Sequence, residues 1–432
     1  MSRMSAQDPA DPRDRALHEI PTGTGHRLGS PAYRRITAAL FLAGLATFAL
    51  LYATQPILPL LAAHFEVSAS SSALSVSAAT LGIGAALLLA GPLSEVVGRT
   101  RLMLASLVAS PLVGIAIALA PSWPSLISLR VAQGVALAGL PAVAMAYLTE
   151  ELERSSQARA AGVYVGGTAL GAMLGRLLVG AVADLAGWRW ALAAIAALGL
   201  ACAAGVAAIL PPSRGFTPAP RSWRHMIRQS RAILSDPALL ALFGIGGAAL
   251  GCFVAVFNAI GFRLESAPYH LSVGVAGLVY LCYSLGSVAS PRAGTLAIRY
   301  GQRAVTPWGA LLMVAGVAIT LASPLPAIVV GLCVLTVGFF AVHGVASGWV
   351  AARAAVGVGG TGQASSWYLF CYYLGSSVFG ALGGLAWQRG EWPAVAALSA
   401  GLALVVSALA IWLRFIPSLK EARREGPGPP GF

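Results

Sequence analysis

Twelve apolar stretches, each near the length that crosses a bilayer, fill almost the whole chain, and the arginines gather in alternate gaps between them. The stretches run 34–60, 71–92, 102–120, 124–148, 159–181, 189–210, 237–262, 272–297, 305–322, 326–350, 362–387 and 393–415. A helix needs about 20 apolar residues to span about 30 Å of hydrocarbon. Inside lipid the backbone finds no water, so its polar groups must be satisfied within helices. Only 10% of residues are charged, against about 25% in soluble domains. The expected fold is therefore an all-α membrane protein with 12 transmembrane helices. Some 33 polar residues precede the first stretch and no small-residue cleavage signature follows it, so a cleaved signal peptide is not expected.

Basic residues set the orientation. Arg3, Arg13, Arg15, Arg27, Arg34 and Arg35 precede the first stretch, and the even-numbered gaps hold Arg99, Arg101, Arg154, Arg159, Arg299, Arg303 and Arg353. The odd-numbered gaps hold only Arg189, Arg263 and Arg389. Both termini and the long 211–236 loop should face the cytoplasm, where anionic lipid accounts for a net charge of +13. No element presents these charges to a nucleic acid. The five cysteines all lie within apolar stretches without CxxC spacing, which reads as buried packing rather than a disulfide framework or a metal site.

The chain also repeats itself. Gly91-Pro-Leu-Ser-Glu95-Val-Val-Gly98-Arg99-Thr-Arg101 follows the second stretch, and Gly294-Thr-Leu-Ala-Ile298-Arg299-Tyr-Gly301-Gln-Arg303 follows the eighth, 203 residues on. The first and seventh stretches begin at the same offset. This predicts a parallel 6+6 pseudo-repeat with a transport path between its halves. The expected divisions are an arm (1–33), a six-helix bundle (34–210), a tether (211–236), a second bundle (237–415) and a tail (416–432).

Segment 91–101 resembles the cytoplasmic signature loop of the major facilitator superfamily, with Glu95 where that family usually has Asp, and Ile298 replacing the acid in the second copy. Arg130-x-x-Gln133-Gly134 is similar to its fourth-helix motif. Gly162, Gly171, Gly175 and Gly180 are similar to its fifth-helix antiporter motif, with Arg176 in the customary proline position. The resemblance implies the major facilitator fold and a multi-pass carrier of the bacterial cytoplasmic (inner) membrane. It implies no enzyme, no metal and no cofactor, with a proton gradient as the energy source. The likeness extends to a branch loosely tied to efflux of small molecules.

Within that frame Gly91, Glu95, Gly98, Arg99 and Arg101 are expected to form a cytoplasmic gate. The glycines would allow tight backbone reversal, and Glu95 would pair with an arginine across the closure. Arg130 and Arg176 are buried cations, costly in a bilayer, and both sit roughly 8–9 Å below the outer interface at 1.5 Å per residue. They read either as structural groups or as donors to an anionic substrate. Gln55 and Asn258, 203 residues apart, are expected to offer hydrogen bonds to substrate, and Tyr52, Tyr368 and Tyr372 an aromatic wall with polar tips. No acid lies mid-membrane, so Asp184, near an outer helix end, and His343 are the proton-coupling candidates.

The expected function is a secondary transporter working by rocker-switch alternating access as a monomer in membrane lipid. Its leading form is proton-coupled efflux of a small organic molecule. The alternative is uptake or facilitated transport of an organic anion held by Arg130 and Arg176. A membrane enzyme would need a nucleophile–base pair or metal cluster, and a channel a repeated filter or ring of charges; neither pattern is present.

Overall fold

The computed structural model describes residues 25–213, 223–357 and 360–416. The arm before Gly25, residues 214–222 and the tail beyond Ile416 lie outside it. Its helices are α1 (Pro31–His64), α2 (Ala69–Val97), α3 (Arg99–Ala118), α4 (Trp123–Glu151), α5 (Arg154–Ala186) and α6 (Trp188–Ile209). Then come α7 (Pro237–Glu265), α8 (Val273–Tyr300), α9 (Gln302–Ile319) and α10 (Leu325–Val356). A last helix runs Thr361–Trp412 over 52 residues, about 78 Å at 1.5 Å per residue and far more than a bilayer needs. It breaks at Gly390 and Glu391, whose φ/ψ leave the helical region. That divides it into α11 (361–389) and α12 (392–412) and completes twelve membrane-length helices. α1 begins and α12 ends on one face of the bundle, called here the terminal face; the other is the distal face.

Local sequence explains the ends. Ser30 Oγ accepts the Tyr33 N–H at 3.2 Å ahead of Pro31, which has no N–H to satisfy. Asp236 caps α7 by accepting the N–H groups of Ala238 and Leu239. The repeated pair Gly98 and Gly301 adopt φ of 101° and 89°, the left-handed reversal between α2 and α3 and between α8 and α9. Gly91 departs from expectation. It lies inside α2, where an added Cβ would meet nothing within 4 Å, so it makes no tight approach.

Two helices are interrupted. Pro56 and Pro59 remove N–H donors from α1, which ends one α-helical segment at Leu51 and resumes at Leu58 after a short 3₁₀ turn over Gln55–Ile57. α8 is wound as a 3₁₀ helix over Leu278–Leu285 between Gly277 and Gly286. The 211–236 segment, read as a tether, contains an amphipathic helix, Trp223–Leu234.

Bare backbone faces draw the helices together. Cβ atoms placed on Gly167, Gly171 and Gly175 of α5 would strike Phe41, Leu45 and Ala49 of α1 at under 3 Å, the close contact that small residues at four-residue spacing permit. In the last six helices Gly375 of α11 rests on Gly247 of α7, and an added Cβ would lie 2.0 Å from the Gly247 carbonyl oxygen. Gly375→Val is therefore expected to destabilise the protein by about 2 kcal/mol or more. Thermal unfolding in detergent checks this, with Gly401→Ala, whose Cβ meets open space, as the unaffected control.

The tryptophans near the helix ends divide. Trp190 is exposed, whereas Trp188 and Trp392 are buried. Trp392 donates to Thr320 Oγ1 at 3.2 Å beneath the Arg263 guanidinium. These two rings plug helix ends instead of facing lipid.

Candidate functional site

The first and last six helices lean together at the distal face and part toward the terminal face. α2 meets α11 through Ser70 Oγ–H to Ala381 O (3.2 Å), Ser77 Oγ–H to Ser377 O (2.7 Å), and Thr80 Oγ1 with Ser377 Oγ (2.8 Å). α1 meets α7 through Gln55 Nε2, which donates to Asn258 Oδ1 at 2.8 Å. These two residues occupy equivalent positions in the repeat, so their bond joins the halves at the pseudo-twofold axis. Asn258 also donates to Gly380 O. Both amides are about 1% exposed. Expected as groups open to substrate, they here bond each other.

Arg176 completes this seam from α5. Its Nε donates to Gln55 Oε1 at 2.7 Å and an Nη donates to Ala172 O. The guanidinium lies 4.5 Å from the ring centre of Tyr52, 4.7 Å from Tyr283 and 5.3 Å from Tyr280, within cation–π range. Tyr280 and Tyr283 present one face because side chains three apart eclipse in a 3₁₀ helix. The tight winding of α8 thus builds two sides of the cage.

Arg130 is nearly inaccessible, 1% exposed, and its surroundings differ. It donates to Ser75 O (2.7 Å), Leu50 O (3.2 Å), Leu51 O (2.6 Å) and Gln133 Oε1 (2.5 Å). Leu50 and Leu51 end the first segment of α1, where carbonyls lose their regular helical partners, though Leu50 O also accepts the Ala53 N–H at 3.3 Å. Arg130 therefore caps a broken helix from the side, and Gln133, held by Ser110 O at 3.1 Å, steadies it. The two arginines meet α1 about one turn apart, at Leu51 and Gln55, but they share no hydrogen-bond partner among the described residues.

Asp184, at the distal end of α5, accepts from Ser272 Oγ (2.6 Å) and from the Gly274 N–H (2.9 Å). It closes the start of α8 in the opposite half. Glu265, which sequence reasoning passed over, ends α7 near Pro59 of α1, with Oε1 buried.

Deeper in the last six helices lies an aromatic wall. His343 Nδ1 is 2.9 Å from the Tyr368 hydroxyl, and its ring stacks on Tyr372 at 4.5 Å and on Phe339 at 6.0 Å. Tyr368 is buried, while His343 and Tyr372 remain partly exposed.

Toward the terminal face α2 and α11 diverge around a vestibule of about 760 Å³. One wall carries Gly91, Glu95 and Arg99, and the other Gln363, Ser366 and Trp367, with the linker helix alongside. Arg99 bonds Glu150 of α4 at 3.1 Å and also Ser94. This ion pair stays within the first six helices, not across the opening. Arg101 is exposed. In the other half Arg353, at the position equivalent to Glu150, pairs instead with Asp236 at the start of α7, at 2.9 Å.

Known proteins share this architecture. The sequence profile of the Major Facilitator Superfamily matches residues 40–267. The chain is 41% identical over 411 residues to the inner membrane transport protein YnfM of Escherichia coli (strain K12), covering 95% of this chain and 97% of that one. It is 38% identical over 387 residues to an MFS-type transporter, YybF, of Bacillus subtilis (strain 168), covering 90% and 94%. Among solved structures, an inward-facing bacterial homolog of the human lysosomal transporter Spinster superposes with a TM-score of 0.68 at 15% identity, covering 90% and 96%, a likeness of fold alone. With the profile, the relatives and the twelve-helix architecture in agreement, this chain belongs to the Major Facilitator Superfamily and is a secondary transporter of a small organic molecule, a carrier and not an enzyme.

Proposed function

We propose that the chain exports its substrate from the cytoplasm by alternating access, driven by inward proton movement, with the terminal face on the cytoplasmic side. The observation that supports alternating access is the polarity of the seam, and export is the direction suggested by the efflux branch that the sequence resembles. The hydrogen bonds of Gln55, Ser70, Ser77 and Asp184 to the other half lie at the distal end, while the vestibule opens at the terminal end. The arrangement accepts a molecule from the side bearing most arginines.

Tyr372 and His343 are the groups proposed to meet substrate, since both keep exposed surface on a stacked wall suited to a planar or amphipathic molecule. Tyr52, Gln55, Asn258 and Arg176 become available only when the distal seam parts. His343 is the proposed proton acceptor, and Asp184 the acid whose protonation weakens the distal closure by removing the charge from two hydrogen bonds. Anion recognition through Arg130 would require that side chain to abandon four protein acceptors. Arg176, held mainly by ring faces, is the more available of the two cations.

A thermal-shift screen of organic acids, neutral amphiphiles and organic cations should supply a probe for transport in proteoliposomes. Accumulation of that probe is expected to follow an imposed proton gradient and to vanish with a protonophore. His343→Phe keeps the ring stack and should leave exchange of labelled for unlabelled probe intact while abolishing gradient-driven accumulation. Equal accumulation with and without the gradient in the parent protein would refute coupling.

A further inference from the structure

The carboxylate of the signature loop occurs in only one copy. Glu95 lines the vestibule, whereas its counterpart Ile298 is 90% exposed and cannot hold a charge. A mouth that closes by salt linkage needs a cation from the opposite wall, and the second loop does not face this cavity.

The linker helix does. It is bound to the start of α11 by a compact set of hydrogen bonds. Gln363 Nε2 donates to Met226 O at 2.9 Å and to Ser230 Oγ at 2.5 Å, and Trp367 Nε1 donates to the same Ser230 Oγ at 3.1 Å. Gly360, at φ +63°, lies so close beneath Gln229 that a Cβ there would sit 2.1 Å from the amide nitrogen. Ile233 is fully buried. The helix therefore travels with α11 as one body, although it lies between the two halves in sequence. Arg231, directly after the Ser230 anchor, lines the vestibule and is exposed, and no ion pair holds it among the described residues. The first residues of α11, with their unsatisfied N–H groups, line the same cavity and add positive potential.

We propose that Arg231 is the cation Glu95 meets when the vestibule shuts, making the linker helix a working part of the inner gate and not a tether. The assignment rests on alternating access. In closing, α2 and α11 swing together, Glu95 reaches the amide-rich start of α11, and Arg231 arrives beside it because Ser230 is pinned to Trp367 and Gln363. Arg231 acts here as a positioning residue that sets how long the mouth stays closed.

The test needs no substrate. In a cysteine-free background, Leu88→Cys on α2 and Ser366→Cys on α11, both on the vestibule wall, should form a disulfide with copper phenanthroline only when the mouth narrows enough for bonding geometry. Glu95→Gln or Arg231→Gln is expected to lower the yield about fivefold, the effect of one partly exposed ion pair. Arg231→Lys should retain most of it, and the exchanged pair Glu95→Arg with Arg231→Glu should restore at least half. A yield indifferent to Arg231→Gln, or unrestored by the exchange in a variant that melts like the parent, overturns the gate assignment alone. No disulfide in the parent pair would sink alternating access itself, and the gate with it.

Discussion

An Arg176→Leu variant should lose the distal seal and, with it, at least nine-tenths of transport. Leucine fills the space but removes the donor to Gln55 and the cation enclosed by Tyr52, Tyr280 and Tyr283. A hydrogen bond from a charged group contributes about 1.5–3 kcal/mol and a desolvated cation–π contact about 2. Only the contacts with Tyr280 and Tyr283 cross between the halves, so the loss should move the balance away from the distally closed state by about thirtyfold, each tenfold step being about 1.4 kcal/mol. Arg176→Lys keeps charge without the planar fork and should fall between. Labelling from outside reads the outcome directly: Ala276→Cys, buried near the start of α8, should become reactive toward an impermeant maleimide in the Leu variant. Unchanged reactivity would show that Arg176 does not hold the seam.

Arg130→Ala should damage folding more than gating. Four acceptors would lose this donor; Leu50 O keeps the Ala53 N–H and Ser75 O its place in the α2 ladder, but Leu51 O and Gln133 Oε1 would be left without it, far from water. Leaving such groups unpaired costs about 1–3 kcal/mol each, so a loss of about 3 kcal/mol or more is expected even after partial relaxation. Melting in detergent should fall by about 5 °C, and Arg130→Lys should recover little because an ammonium cannot reach these acceptors in one plane. A variant that melts normally yet selectively stops moving organic anions would reverse the reading and make Arg130 a recognition residue.

Much of the fold was legible before any coordinates. Segments of twenty apolar residues in lipid can only be helices, and the 203-residue offset located Gly98 and Gly301 at equivalent reversals. It also singled out Gln55 and Asn258, though not that each is the other's partner, because periodicity locates a residue along a helix without saying which helix it meets. The same offset carries Ser77 and Thr80 onto Tyr280 and Tyr283. Followed through, it would have exposed the α2–α11 and α8–α5 contacts as equivalent seams. What it could not supply is the 3₁₀ winding that turns both tyrosines to one side, a departure set by packing. The linker helix was hidden for a different reason: its arginines read as topology anchors, while its docking depends on Gln363 and Trp367, more than a hundred residues away.

Ser70 and Ser77 grip α11 by its main chain, at the carbonyls of residues 381 and 377. A main-chain acceptor is present whatever amino acid occupies the position. Relatives can therefore rewrite much of the α11 surface for new cargo while this latch still holds, so cargo choice and sealing are free to evolve apart.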